Sequence, residues 1–309
     1  MIAGGRLRLA PVPEVGAAKR DPRTALAFLT DFDDNSVDAR QSDEPGAAAV
    51  DQPASGPAAP GTTDLGDLVA SLPWYHTIEM PGGVVSRGMF DHRPLVPHYG
   101  IPPTLAGLRC LDVACSNGFW AFEFERRGGD VTAVDIASWS DWDLPTGAPV
   151  PFAAAPDTGD GDGDGSPTPS AADPFTVARD ALGSHVRRVQ QNLYTLDPDA
   201  LGRFEFVHAG DVLVHLARPL DALRALRRVT ADGGTALLAD VFDPHLSDPA
   251  LTRYLGGFNG HEWWMPGLGC LVQMAYDAGF SAIEVVTVYN LAAWDQPEGH
   301  WRAVLRARA

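Results

Sequence analysis

The stretch Leu111–Ile136, LDVACSNGFWAFEFERRGGDVTAVDI, constrains the fold of this chain more than any other part of it. Arg109–Ala114 (RCLDVA) is a short apolar run, the pattern of a parallel strand buried on both faces. A loop of small residues follows, Asp112-Val113-Ala114-Cys115-Ser116-Asn117-Gly118. Phe119–Arg127 carries Phe119, Phe122 and Phe124 and a polar end, so it predicts a helix, which Gly128-Gly129 terminates. Val131–Ile136 (VTAVDI) is a second strand, closing on Asp135. Strand, small-residue loop, helix, strand is a βαβ unit. Small side chains over strand ends let a ligand approach the backbone closely. An acid at the end of the second strand can accept both hydroxyls of a ribose.

The same alternation continues along the chain. Residues 174–184 predict a helix, Val186–Asn192 a third strand and Phe204–Ala209 a fourth. In Arg218–Val229, Leu220, Leu223, Leu226 and Val229 recur at helical intervals. Gly234–Val241 predicts a fifth strand, Leu268–Ala278 a helix, and Ala282–Tyr289 and His300–Leu305 the last two strands. The expected fold is α/β: a Rossmann-like, mainly parallel sheet with a C-terminal antiparallel hairpin, helices on both faces and an N-terminal lid. Residues 1–61, rich in Ala, Pro, Gly and Asp, are expected to be a mostly disordered extension in which Thr24–Thr30 alone suits a short helix. Residues 62–105 form the lid or cap segment. Residues 106–309 form the domain, interrupted by a disordered insertion at about 150–173.

The formal charge of −17 is concentrated in the parts expected not to fold. Asp31–Asp64 holds eight acids against one Arg, and Val150–Asp173 holds five Asp and no base. The remainder is mildly acidic, a poor match for a phosphate backbone, which argues against a nucleic-acid partner. The DGDGDG run lacks the twelfth-position Glu and flanking helices of a calcium-binding EF-hand. Cys110, Cys115 and Cys270 show no CxxC spacing, so neither a zinc site nor a disulfide framework is expected, and no metal is assigned. No signal-peptide core and no 18-residue apolar run is present, so the chain is expected to be cytoplasmic, with no membrane partner.

The ligand of the loop is either a dinucleotide or S-adenosylmethionine. A pyrophosphate rests on helix N-terminal amides behind a GxGxxG loop. Here Asp112 stands directly before the loop, where its charge would repel a pyrophosphate but can bind the ammonium of methionine. The loop thereby favours S-adenosylmethionine, held by Asp112, Ala114, Cys115, Ser116, Gly118, Asp135 and Ile136.

Asp112–Gly118 resembles the D-x-G-x-G-x-G loop of class I S-adenosylmethionine-dependent methyltransferases, with Ala114 and Ser116 replacing two glycines. The chain is most similar to the branch that includes the tRNA wobble-uridine (mo5U34) methyltransferase-like proteins. The likeness rests on WYHTIEMPGGVVSRGMFDHRPLV (74–96), Asn117–Glu123 and DVLVHLARPLDAL (211–223), and runs from about Leu72 to the C-terminus outside the insertion. The resemblance implies that Asn192 or Leu193 borders the adenine, and that Ala209–Asp211, with Gly210 a cofactor residue, flanks the transferred methyl. One branch member transfers a carboxymethyl group using a Tyr where this chain has Val214, which implies ordinary methyl donation here.

On the acceptor side, His215, just past the fourth strand, and His76, in the segment expected to cover the cofactor, are the candidate catalytic bases, because imidazole titrates near neutrality. Trp74, Tyr75, Phe90, His261 and Trp264 are the candidate acceptor-binding residues, with Trp263 beside them. Residues 72–96 and 259–266 are expected to close over the donor and to bring His76, His215 and Trp264 around one cavity. The basic residues Arg218, Arg224, Arg227 and Arg228 read as a solvated helix face or a phosphate-binding one. The expected function is methyl transfer to O or N of a small-molecule acceptor. The alternatives are modification of a tRNA wobble uridine and a non-catalytic, methyltransferase-like binding protein.

The Asp-Gly insertion generates a first test. It has no apolar area to bury against its ordering entropy. Deleting residues 156–172 and bridging them with a short Gly-Ser linker is expected to leave both the melting temperature and cofactor affinity unchanged. A loss of either, measured by thermal denaturation and calorimetry, would make the insertion a working part.

Overall fold

The computed structural model describes residues 7–10, 37–38, 64–138, 141–146, 173–256, 260–293 and 296–309. Its strands are β1 (Leu7–Ala10), β2 (Val37–Asp38), β3 (Trp74–His76), β4 (Glu79–Met80), β5 (Val84–Val85), β6 (Gly88–Phe90), β7 (Arg109–Val113), β8 (Asp130–Asp135), β9 (Arg187–Gln190), β10 (Phe204–Gly210), β11 (Thr230–Val241), β12 (Thr252–Tyr254), β13 (Trp264–Pro266), β14 (Ser281–Ala293) and β15 (Gln296–Arg308). The α-helices are α1 (Leu65–Ala70), α2 (Phe119–Arg126), α3 (Pro174–Leu182), α4 (Pro198–Leu201), α5 (Pro219–Val229) and α6 (Leu268–Asp277).

Nine strands form one sheet in the order β2-β1-β14-β15-β11-β10-β7-β8-β9. β9, β8, β7, β10 and β11 run parallel, and β15 enters antiparallel between β11 and β14. The inner parallel strands are largely apolar on both faces because both are covered, whereas β9 at the edge (RRVQ) is not. Cys110, Phe206, Leu237 and Ala239 face a layer containing α2, α3 and the leading segment. Leu111, Val113, Val207, Ala209 and Leu238 face α5 and α6. α5 presents Ala222, Leu223, Ala225, Leu226 and Val229 inward, the stripe its spacing predicts.

Several boundaries move for local reasons. α3 starts on the Asp173 cap and Pro174 and ends at Gly183, whose left-handed φ of 61° stops it two residues before the predicted end. β11 begins at Thr230 rather than Gly234, paired with Phe204 across an irregularity in register. β14 and β15 are each 13 residues long, well beyond the predicted spans, since pairing with one another and with their neighbours extends the ladder. The N-terminal extension contributes two strands that its composition does not predict. β1 pairs antiparallel with β14, from Leu7 opposite Leu291 to Ala10 opposite Val288, and β2 pairs with β1. β1 therefore satisfies backbone groups that β14 would otherwise expose at a sheet edge. The suggested helix at Thr24–Thr30 and the stretch 147–172 lie outside the described residues.

The leading segment has no place in the large sheet. Its strands form two small sheets, β3 with β6 and β4 with β5, laid over the α2 side. Ser86 holds them together, donating to His76 O and accepting from Ile78 N.

Candidate active site

The loop between β7 and α2 turns through left-handed backbone at alternate positions. Ala114 has φ 57°, Ser116 φ 47° and Gly118 φ 87°. These are the three sites that glycine occupies in the motif the loop resembles. For Ala and Ser the conformation costs about 1–2 kcal/mol each, which the surrounding bonds must hold in place. Those bonds are visible: Cys115 N donates to Val134 O at 3.2 Å, Gly118 N to Cys115 O at 2.8 Å, and Ser116 N to Asp135 Oδ2 at 2.7 Å. Gly118 is obligatory, because a Cβ there would lie 2.7 Å from the Phe122 ring and 2.8 Å from Phe175.

Asp135 closes β8 beside this loop. Its Oδ1 accepts from Ile136 N at 2.8 Å and its Oδ2 from Ser116 N. Each oxygen retains a lone pair for a ribose hydroxyl. Gln191 N donates to Asp135 O, which sets Asn192 and Leu193 one strand further along the same edge. Asn192 caps a short turn by accepting from Tyr194 N, and Leu193 is buried. Cys115 is buried, and burial pushes its thiol well above the usual range, so it acts as a small loop residue and not as a nucleophile.

Asp112 points into the α2 side of the sheet and is 1% exposed. Its Oδ1 lies 2.7 Å from His208 Nδ1, while its Oδ2 has no hydrogen-bond partner. A buried carboxylate oxygen without a donor is costly, and a cation is what it lacks. This orphan, with the open lone pairs of Asp135 on the same edge, fits the ammonium and ribose of S-adenosylmethionine.

Past β10, Asp211 (φ 51°) shares the single Nε–H of Arg302 between its two oxygens, each at 2.8 Å, and Tyr75 Oη donates to it at 3.4 Å. Arg302 is buried, donates also to Leu291 O and His300 O, and lies over the Phe90 ring at 4.8 Å. Neither Asp211 in this role nor Arg302 is legible from the motifs. Arg302 occurs in a strand that alternates Arg with apolar residues, where a solvent face is the ordinary expectation. Asp240, at the end of β11, accepts from Val212, Leu213 and Val241 N–H groups. Burial and then the Asp211 charge push its carboxyl up to about 7, against those three donors.

The candidate acceptor residues divide into two groups. Tyr75, His76 and Phe90 belong to the first. Asn117 Oδ1 accepts from Tyr75 N at 2.5 Å and His76 N at 3.3 Å, pinning the leading segment to the cofactor loop. His76 is buried against Phe119, Tyr75 and His92, and its Nδ1 has no partner. His215 and His261 belong to the second group, stacked at 4.6 Å, with Trp142 stacked on His215 at 5.9 Å. His215 Nδ1 lies 3.4 Å from His261 O, so its Nε2 is the nitrogen left to accept a proton. Asp143 anchors this group, accepting from Tyr194 Oη and Ala217 N through its side chain and from the Trp263 indole through its backbone.

The expectation of one cavity ringed by His76, His215 and Trp264 is corrected for Trp264, while the two histidines lie in different ring clusters that both sense Asp211. Trp264 donates to Ala217 O and lines a separate apolar cleft of about 180 Å³ with Leu213, Val214, Pro219, Thr252, Pro266, Leu271 and Met274. Trp74 is also corrected: it is buried, with its indole committed to Val69 O, and offers no open stacking face. Three of the basic residues at α5 have partners, and Arg228 is exposed. Arg218 and Arg224 approach Asp221, and Arg227 donates to Gly279 O. Among the described residues no helix is long and apolar enough to cross a membrane, and no group of three or more His, Cys, Asp or Glu suits a metal.

The profile of the methyltransferase-domain family matches residues 87–285. No functionally curated protein sequence matches the chain. The N-terminal domain of EvdMO1 with SAH bound superimposes with a TM-score of 0.51 at 16% identity, covering 79% of this chain and 94% of that one. An S-adenosylmethionine-dependent methyltransferase from Mesorhizobium loti gives 0.45 at 11% identity, over 71% of this chain and 97% of that one. The 1,6-didemethyltoxoflavin-N1-methyltransferase of Burkholderia thailandensis gives 0.45 at 17%, over 70% and 76%.

The buried imidazoles generate a pH test. Burial, reinforced by Arg302, lowers His92 to about 3, and burial likewise lowers His76 and His215. An unfolded imidazole titrates near 6.5, so below that pH the unfolded chain takes up protons the folded one refuses. Stability contributed by His92 is therefore full above about pH 6.5 and falls as pH drops toward 3, by up to about 1.4 kcal/mol per pH unit. Asp240, raised, acts in the opposite sense, losing its contribution as pH rises toward 7. It cancels when His92→Phe is compared with wild type. Urea unfolding from pH 6 to 4.5 is expected to show the variant flatter by about one proton. Parallel curves would mean that His92 is protonated in the fold.

Proposed function

The chain belongs to the S-adenosylmethionine-dependent methyltransferases, and on that premise we propose that it methylates an oxygen or nitrogen of a small, planar acceptor seated at the end of β10. The observation that carries the acceptor class is the stack of Trp142, His215 and His261, a set of flat neutral rings at that strand end. The chain's net negative charge favours a small molecule over RNA.

S-adenosylmethionine supplies, when bound, a methyl group already activated on a sulfonium. The chain's own residues then have three tasks. Asp112, Asp135 and the Ala114–Gly118 loop bind. The leading segment, tied down by Asn117 and by Tyr75 on Asp211, excludes water. His215 takes a proton on Nε2. Burial, and then the neighbouring His261, lowers His215 to about 4, so it is neutral and holds a free lone pair across the physiological range. Such a base is weak, but a proton on an atom gaining a methyl group becomes strongly acidic, so a weak base suffices.

Two measurements test this. Asp135→Ala is expected to weaken binding of S-adenosylhomocysteine by roughly 2–4 kcal/mol, through loss of two charge-assisted hydrogen bonds. Equal calorimetric affinities would remove Asp135 from the ribose. Incubation with methyl-labelled donor and cell extract would identify the acceptor. With it, His215→Gln is expected to lower kcat by about 10²-fold or more, at unchanged donor affinity. A kcat within about threefold of wild type would exclude His215 as the base.

A further inference from the structure

The parallel register sets His208 of β10 directly opposite Asp112 of β7, both 1% exposed on the same face of the sheet. His208 is enclosed by the rings of Tyr99, Trp120 and Phe124, each with its centroid within 5.5 Å. Its two nitrogens are both engaged: Nδ1 with Asp112 Oδ1 at 2.7 Å, Nε2 with Tyr99 Oη at 2.8 Å. Tyr99 is buried, and burial holds its phenol well above the usual range, so it keeps its proton. Tyr99 Oη on Nε2 and the Asp112 carboxylate on Nδ1 together fix the orientation of the imidazole between them. The chain Tyr99–His208–Asp112 is then satisfied at every atom but one. That atom is Asp112 Oδ2, buried and without a donor. The orientation of the carboxylate is fixed by the bond to His208.

We infer that His208 is a positioning residue for the methyl donor: backed by Tyr99, it turns the Asp112 carboxylate so that Oδ2 receives the α-ammonium of the methionine moiety. The inference deepens the proposed donor site and rests on it. Gly210 supports the placement, because a Cβ there would come within 3.0 Å of the His208 ring, so ring and strand end are fitted to one another. Tyr99 extends the arrangement to the leading segment. It follows the turn Arg93–His98, so the segment that covers the site also takes part in setting the charge beneath it.

The test separates the amino-acid half of the ligand from its nucleoside half. S-adenosylhomocysteine carries the ammonium, and 5′-methylthioadenosine does not. His208→Phe preserves an aromatic ring in its enclosure. It is expected to weaken S-adenosylhomocysteine binding by about 10-fold or more, while methylthioadenosine binding stays within about twofold. Tyr99→Phe removes one oxygen and is the gentler variant, expected to show the same split at about three- to tenfold. Asp112→Asn is expected to show the largest split. Calorimetry of the full chain reads all three. Equal losses for both ligands, or no loss for either, would overturn the role of His208. Asp135→Ala keeps the two levels apart, since it should weaken both ligands alike. If it weakens neither, or if wild type binds neither ligand, the donor site itself is misassigned and the inference falls with it.

Discussion

The buried ion pair between Asp211 and Arg302 is the interaction around which the carboxyl edge of the sheet is arranged. Arg302 comes from β15, the strand inserted antiparallel beside β11, and Asp211 from the residue just past β10. Removing two charges from water is expensive, and only good geometry with further hydrogen bonds offsets it. Here Asp211 is met at both oxygens, and the guanidinium also finds Leu291 O, His300 O and the Phe90 ring. Tyr75 adds its hydroxyl. A single ion pair thus links the fourth strand of the parallel set, the terminal hairpin and the leading segment. It also sets the field at the strand ends, where His76, His215, Asp240 and His300 all sense Asp211.

Burial, working against that field, is what lowers the imidazoles near the site. A buried carboxylate would favour their protonated forms, but burial outweighs it, and Arg302 offsets the Asp211 charge at short range. The charges at this edge are held in place by the fold before any donor binds. The strained backbone points the same way. Ala114, Ser116 and Asp211 adopt positive φ at the strand ends, where a site dictates backbone position and local preference yields.

Much of this was legible in the sequence. The apolar runs and the Asp112–Gly118 loop gave the mainly parallel sheet, and Asp135 closes the second strand as expected. The terminal hairpin followed from two strands with a short link between them. Less legible were the partners that meet only across the fold. Asn117 reads as one more small loop residue, yet its side chain anchors the leading segment. Trp142 and Asp143 lie in a connection without periodicity, yet one stacks on His215 and the other ties down Tyr194 and Ala217. The aromatics of the leading segment announced a cover over the site, but not which of them would be buried beneath it, as Trp74 is.

The sequence by itself determined the alternating strands and helices of the parallel core and the small-residue loop between β7 and α2, where it leads one to expect a ligand. Hydrophobic period and small-residue loops are local, and they act before any long-range contact forms. Only the tertiary structure decided that His208 faces Asp112, that Arg302 faces Asp211, and that His76 and His215 lie in separate ring clusters. A buried polar side chain must find its partner wherever strand register and layer packing bring one. That partner lies 96 residues away for Asp112 and 91 for Asp211, distances over which the sequence carries no pattern.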